Sequence, residues 1–129
     1  MLALEEFLGV SGKSAYRRWF DDLDVAAATK VTVALERMAA GNTSSLKALG
    51  DGVSECKVDY GPGYRIYFGK DGEQLVILLG GGTKKKQSVD IENAKALWRE
   101  YKLLKKELLK DAEIKTRAAA ACKTAKKRR

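Results

Sequence analysis

Histidine is absent from these 129 residues. Without it there is no Ser-His-Asp triad, no paired-histidine ribonuclease site and none of the commonest zinc sites. Cysteine occurs only at Cys56 and Cys122. Two isolated thiols do not make a metal centre. A disulfide between them is not expected either, because MLALEEFLGV lacks the basic start and the long apolar run of a secretory leader. No apolar stretch is long enough to span a bilayer, and no lipidation signal appears. The reading is a cytoplasmic chain with no membrane partner, no metal and no cofactor. The GGGTKKK run lacks the GxxxxGK[ST] spacing of a phosphate-binding loop. No pair of carboxylates stands out as a glycosidase site.

Charge is present in excess and unevenly. The net charge is +8. Residues 1–83 carry 9 basic and 11 acidic side chains, and residues 84–129 carry 16 and 6. Such asymmetry favours an acidic partner. Residues 115–129 hold seven cations and no acid, interleaved with alanines. The division is therefore a domain over 1–111 and a basic, flexible tail over 112–129 that is either a nucleic-acid anchor or a solvated end.

The domain reads as α+β. Leu2 to Val10 predicts a first strand. Ser14 is placed to cap a short helix running to Leu23, and Asp24 a second helix from Val25 to about Ala40, closed by Gly41. Together they form an αα-hairpin. Leu46 to Leu49 is a weak strand. Glu55, Lys57 and Asp59 alternate with Cys56, Val58 and Tyr60, which predicts a strand with one wet and one dry face. GPG at 61–63 breaks the chain, Tyr64 to Phe68 form the next strand, and Asp71-Gly72 is a hairpin turn. Leu75 to Leu79 is apolar throughout, as in a central strand. Glycines 80–82 read as backbone turns. A last helix starts near Asp90, with Ile91, Ala94, Leu97, Trp98, Tyr101 and Leu104 at helical spacing. Trp19, Phe20 and Trp98 are assigned to the core. The sheet should be small and mainly antiparallel, since its short connections leave no room for parallel crossovers.

Several pieces of this stretch resemble one protein family. They are GN at 41–42, Lys47, Leu49, Gly50, GV at 52–53, Glu55, GPGYRIYF at 61–68 and KDG at 70–72. LLGGGTK at 78–84, Gln87 and DIENA at 90–94 complete the set, with YRRWFDDLD at 16–24 as a helical opening. The chain is similar from Leu2 to Tyr101 to the phage Gp49-like, HigB-type branch of the RelE/ParE toxin superfamily. The resemblance implies the RelE/ParE-like fold and a toxin of a type II toxin–antitoxin pair. It also implies basic residues on the open face of the sheet that cleave mRNA in the ribosome, often without metal. The implied partners are a cognate helix-turn-helix antitoxin, mRNA and the ribosome, with operator DNA reached through the antitoxin complex.

Cleaving RNA through its own 2′-hydroxyl needs a base, an acid and cations for the extra phosphorane charge. Arg65, Lys57 and Lys84 are the expected catalytic groups. Arg65 matches the arginine of GYR and shares with Tyr67 the face opposite Tyr64, Ile66 and Phe68. A second reading has Arg65 paired with Glu55 or Asp59 across the hairpin, and Lys57 as a solvated strand lysine. Lys84 matches the lysine of the GG-x-K motif. Lys85, Lys86, Tyr67 and Gln87 are the expected RNA contacts. Asp90 either takes part in catalysis or caps the last helix. Two other functions stay open: a non-enzymatic toxin of the gyrase-poisoning type, and an inactive nucleic-acid-binding relative.

Overall fold

The computed structural model describes the backbone of residues 2–9 and 11–127, and the side chains of the same residues as far as 111. It comprises two compact units, residues 1–99 and residues 100–129. Residues 100–127 of the second unit belong to the last helix, and the side chains of the expected basic tail at 112–129 lie outside the described residues.

Five strands make one mixed sheet. In chain order they are β1 (Ala3–Glu6), β2 (Leu46–Gly50), β3 (Val53–Val58), β4 (Tyr64–Asp71) and β5 (Leu75–Thr83). Their spatial order is β1-β5-β4-β3-β2. All pairs are antiparallel except β1 with β5, which runs parallel. The parallel pair is possible because the helical hairpin is the crossover between β1 and the rest of the sheet. The first strand is shorter than the expected Leu2 to Val10. Past Phe7 the described residues keep a single bridge, Leu8 to Ser14, and Val10 lies outside them.

The hairpin follows the sequence closely. Helix α1 (Ala15–Asp21) is capped by Ser14, whose Oγ accepts from the Arg17 amide at 2.9 Å. Helix α2 (Val25–Ala39) is capped by Asp24, whose Oδ1 accepts from the Ala27 amide at 2.7 Å. Each cap satisfies a helix-end amide that would otherwise lack a partner. Val31, Leu35 and Met38 recur at helical spacing on α2 and pack with Tyr16, Cys56, Val58, Ile66, Phe68, Val76 and Leu78. This is the core on one face of the sheet. Burial pushes the Cys56 thiol up to about 11, so it stays neutral there.

Helix α3 (Gln87–Lys127) starts three residues earlier than the sequence suggested. β5 does not stop at Leu79 but runs through all three glycines to Thr83, and Lys84–Lys86 form a 3-10 turn leading straight into the helix. Glycines 81 and 82 are strand residues over which other groups lie, not turn residues. A Cβ on Gly81 would run into the Trp19 ring of α1, and one on Gly82 into the Asp90 carboxyl of α3. Glycine inside a strand often marks such a close approach.

The opposite face of the sheet is covered as well. Trp98 of α3 is 6% exposed. Its ring occupies the space that side chains at Gly52 and Gly69 would fill. Ala94 is buried beside it. The early turns of α3 thus roof the face that the strand alternation had marked as wet. That cover is why Glu55 and Tyr67, on the wet side of the pattern, are 3% and 1% exposed.

Candidate active site

The cations gather at one end of the sheet because of register. Lys57 on β3 is the Cα partner of Arg65 on β4, and Arg65 is the partner of Gly82 on β5. Tyr64 pairs with Thr83, so the turn carrying Lys84, Lys85 and Lys86 leaves the sheet at this same end. All three of these lysines are exposed. Lys57 is half exposed, with its Nζ 3.5 Å from Asp59 Oδ1. That pair lies in water and contributes little, about 0–1 kcal/mol.

Arg65 is different. Its Nε lies 3.2 Å from Glu55 Oε2, and the two side chains are only 11% and 4% exposed. The contact is an ion pair without hydrogen-bond alignment, since Nε has no hydrogen-bond partner. Gln87, the first residue of α3, donates from Nε2 to the same Oε2 at 3.3 Å. Glu55 therefore ties β3, β4 and α3 together through one carboxylate. The alternative reading of the sequence, an Arg65–Glu55 pair across the hairpin, is what the structure contains. It leaves the terminal amino groups of the guanidinium with no partner among the described residues.

Tyr67 departs from its expected place. It does share a face with Arg65, but α3 covers it, and its hydroxyl is buried without a hydrogen-bond partner. Burial pushes that hydroxyl up to about 12, with the nearby Asp90 and Glu55 charges adding to the effect. A direct RNA contact is closed to it in this conformation. Gln87, also expected at the RNA, is half-buried and engaged with Glu55.

Asp90 sits in the first turn of α3 against Gly82, beside the strand position that pairs with Arg65. Desolvation raises its carboxyl above the ordinary range, and Lys86 opposes the rise. It is not the cap residue of α3, since the helix already begins at Gln87. Its negative charge still faces the positive end of the helix. Asp90 and Tyr67 line a cavity of about 110 Å³ that the missing side chain of Gly80 leaves open. Among the described residues, no group of three or more His, Cys, Asp and Glu side chains is arranged to hold a metal ion. Likewise, no helix among them is long and apolar enough to cross a membrane.

Residues 18–102 match the family described as phage derived protein Gp49-like. The chain belongs to the Gp49-like family. The match runs from the hairpin to the early turns of α3 and includes every residue of the cationic end. An uncharacterized protein of Haemophilus influenzae is 38% identical over 86 residues, which is 66% of this chain and 87% of the relative. Within this Gp49-like chain, Glu55 and Asp90 are the site residues that sequence reasoning undervalued. Both carried a signal: Glu55 is an acid two residues from Lys57 on the same strand face, and Asp90 follows the glycine run at short spacing.

Proposed function

We propose that this Gp49-like protein is the toxin of a type II toxin–antitoxin pair, with a RelE/ParE-like fold of the HigB type, and cleaves mRNA on the ribosome. The observation that carries the reading is the Arg65–Glu55 pair. A buried carboxylate fixes the guanidinium, and exposed lysines flank it at the same end of the sheet. The mixed five-stranded sheet with its N-terminal helical hairpin and C-terminal helix is consistent with such a fold.

In the proposed reaction the RNA 2′-oxygen loses its proton and bonds to phosphorus. The bond from phosphorus to the 5′-oxygen breaks, and that oxygen takes up a proton. The products are a 2′,3′-cyclic phosphate and a 5′-hydroxyl. Arg65 stabilises the charge that builds on the phosphorane, and preorganisation by Glu55 makes that stabilisation effective. Lys57 and Lys84 move the two protons, while Lys85 and Lys86 hold flanking phosphates. Gln87 and Tyr67 support the pair and the sheet beneath it. The cationic end presents its three consecutive lysines to solvent, which suits a substrate shaped by ribosomal RNA.

The test is incubation of the purified protein with a defined mRNA, alone and on programmed ribosomes. Ribosome-dependent cuts ending in 2′,3′-cyclic phosphate support the reading. Intact mRNA in both mixtures, with growth arrest persisting in cells, points instead to the gyrase-poisoning alternative.

A further inference from the structure

A second cationic site lies on the hairpin side of the sheet. It is a cleft of about 340 Å³ between α2 and the β2–β3 pair. Small-molecule sites commonly occupy about 300–1,000 Å³. Its floor includes Met38, Cys56 and Val58, all buried. Its rim carries Lys30 and Arg37 from α2, two turns apart on one helical face, and Lys57 from β3. Asp59 is the lining carboxylate, and Lys57 already holds it at 3.5 Å. No carboxylate among the described residues lies within ion-pair distance of Lys30 or Arg37.

Two further features narrow the chemistry. Lys30 Nζ stands 5.7 Å from the ring centroid of Tyr60, a residue 36% exposed that follows the lining Asp59. A flat aromatic surface beside a cation is the usual platform on which a nucleobase stacks. Asn42 Oδ1 accepts from both the amide and the hydroxyl of Ser44, at 3.0 and 2.7 Å. This fixes which end of the Asn42 side chain is used and leaves its NH₂ hydrogens for a ligand. An apolar floor, an amide donor, two cations without a carboxylate partner and, just outside the lining, an aromatic ring held beside one of them match a base with its phosphate.

We propose that this cleft binds a nucleoside phosphate, presented as one nucleotide of a single-stranded RNA. Lys57 belongs both to the cleft rim and to the cationic end of the other face, so a strand seated here passes on toward Arg65. Only that last assignment rests on the ribonuclease reading. The binding site itself does not.

The experiment uses the full chain and follows backbone amides by NMR during titration with adenosine 5′-monophosphate, then with a 2′-O-methylated tetraribonucleotide that the proposed reaction cannot cleave. Shifts centred on Ser45, Leu46 and Val58 are expected with both ligands, tighter with the tetranucleotide. Lys30→Gln and Arg37→Gln alter exposed helix positions, and each should weaken binding about tenfold, as for loss of one charge-assisted phosphate contact. Binding of the mononucleotide alone would keep the site and overturn its assignment to a strand. No cleft shifts with either ligand, or unchanged affinity in both variants, would overturn the proposal. Nucleotide binding with no mRNA cleavage would leave this site standing while the ribonuclease reading fails.

Discussion

Arg65 and Glu55 show how one pair can serve folding and chemistry together. Removing one member of a buried ion pair costs about 3–5 kcal/mol, because the other charge is left without a partner. Arg65→Ala should therefore lose both growth arrest and thermal stability, and by itself cannot separate the two. Arg65→Ala combined with Glu55→Gln neutralises both charges and keeps an amide for Gln87. We expect that double variant to recover most of the lost stability in a denaturant titration while its cleavage rate stays about 10²–10³ below wild type. Arg65→Lys keeps the charge but not the planar fork, so partial activity is expected. Asp90 gives a separate, pH-dependent test. Its folded carboxyl is raised by burial, so the native state holds the proton more tightly than the unfolded chain. Stability from this group is then greatest at low pH and falls as pH rises from the unfolded value into the raised folded one. Asp90→Asn should be more stable than wild type at neutral pH and lose that advantage below the unfolded pKa. Parallel stability–pH curves for the two proteins would show that Asp90 is not desolvated.

Among the elements, β5 and α3 decide the architecture of the site. The apolar core of β5 was legible from Leu75 to Leu79, and both helices of the hairpin were legible from their caps and apolar spacing. The extension of β5 through Gly80, Gly81 and Gly82 was not, since a glycine run reads locally as turn. What makes these residues strand is tertiary: Trp19 and Asp90 need the space a Cβ would take. Gly81→Ala should accordingly destabilise by about 1–3 kcal/mol, the range for overpacking a filled core. A midpoint shift within error in urea would mean that Trp19 moves aside freely. Trp98→Ala should cost more, about 3–5 kcal/mol, because its ring covers two glycines at once. The wet face of β3 and β4 misled for a related reason. Alternation gives the side on which Glu55, Lys57, Arg65 and Tyr67 lie, but not whether a distant helix will cover it. Polar residues on a strand can face a buried ion pair as well as water. The cationic residues of the site and the Arg65–Glu55 pair, as one of two readings, were thus readable by position, whereas the cover that α3 lays over the pair was not.

At the scale of the whole molecule, charge is the leading property. A chain of net +8 with its cations concentrated from residue 84 onward should bind RNA with strong salt dependence, because displaced counterions drive association. Deleting residues 112–129 removes seven cations and one acid. The salt slope of RNA binding should fall, by up to about 0.7 per lost phosphate contact on a single strand, while the cleavage positions stay the same. New cleavage positions would give the tail a part in substrate choice. The same surplus of cations suits an antitoxin that presents carboxylates, which speeds association and covers Arg65, Lys57 and Lys84. Co-expression with a neighbouring small gene should restore growth, and the two products should copurify at moderate salt. Growth restored without a complex would contradict a type II partner. The most direct measurement of the central claim is primer extension on cellular mRNA after induction of wild type and of the Arg65→Ala, Glu55→Gln double variant at matched soluble levels. Cuts inside translated frames are expected with wild type, and their loss with the folded variant. Growth arrest with no new 5′ ends, or the same cuts from both proteins, would contradict the claim.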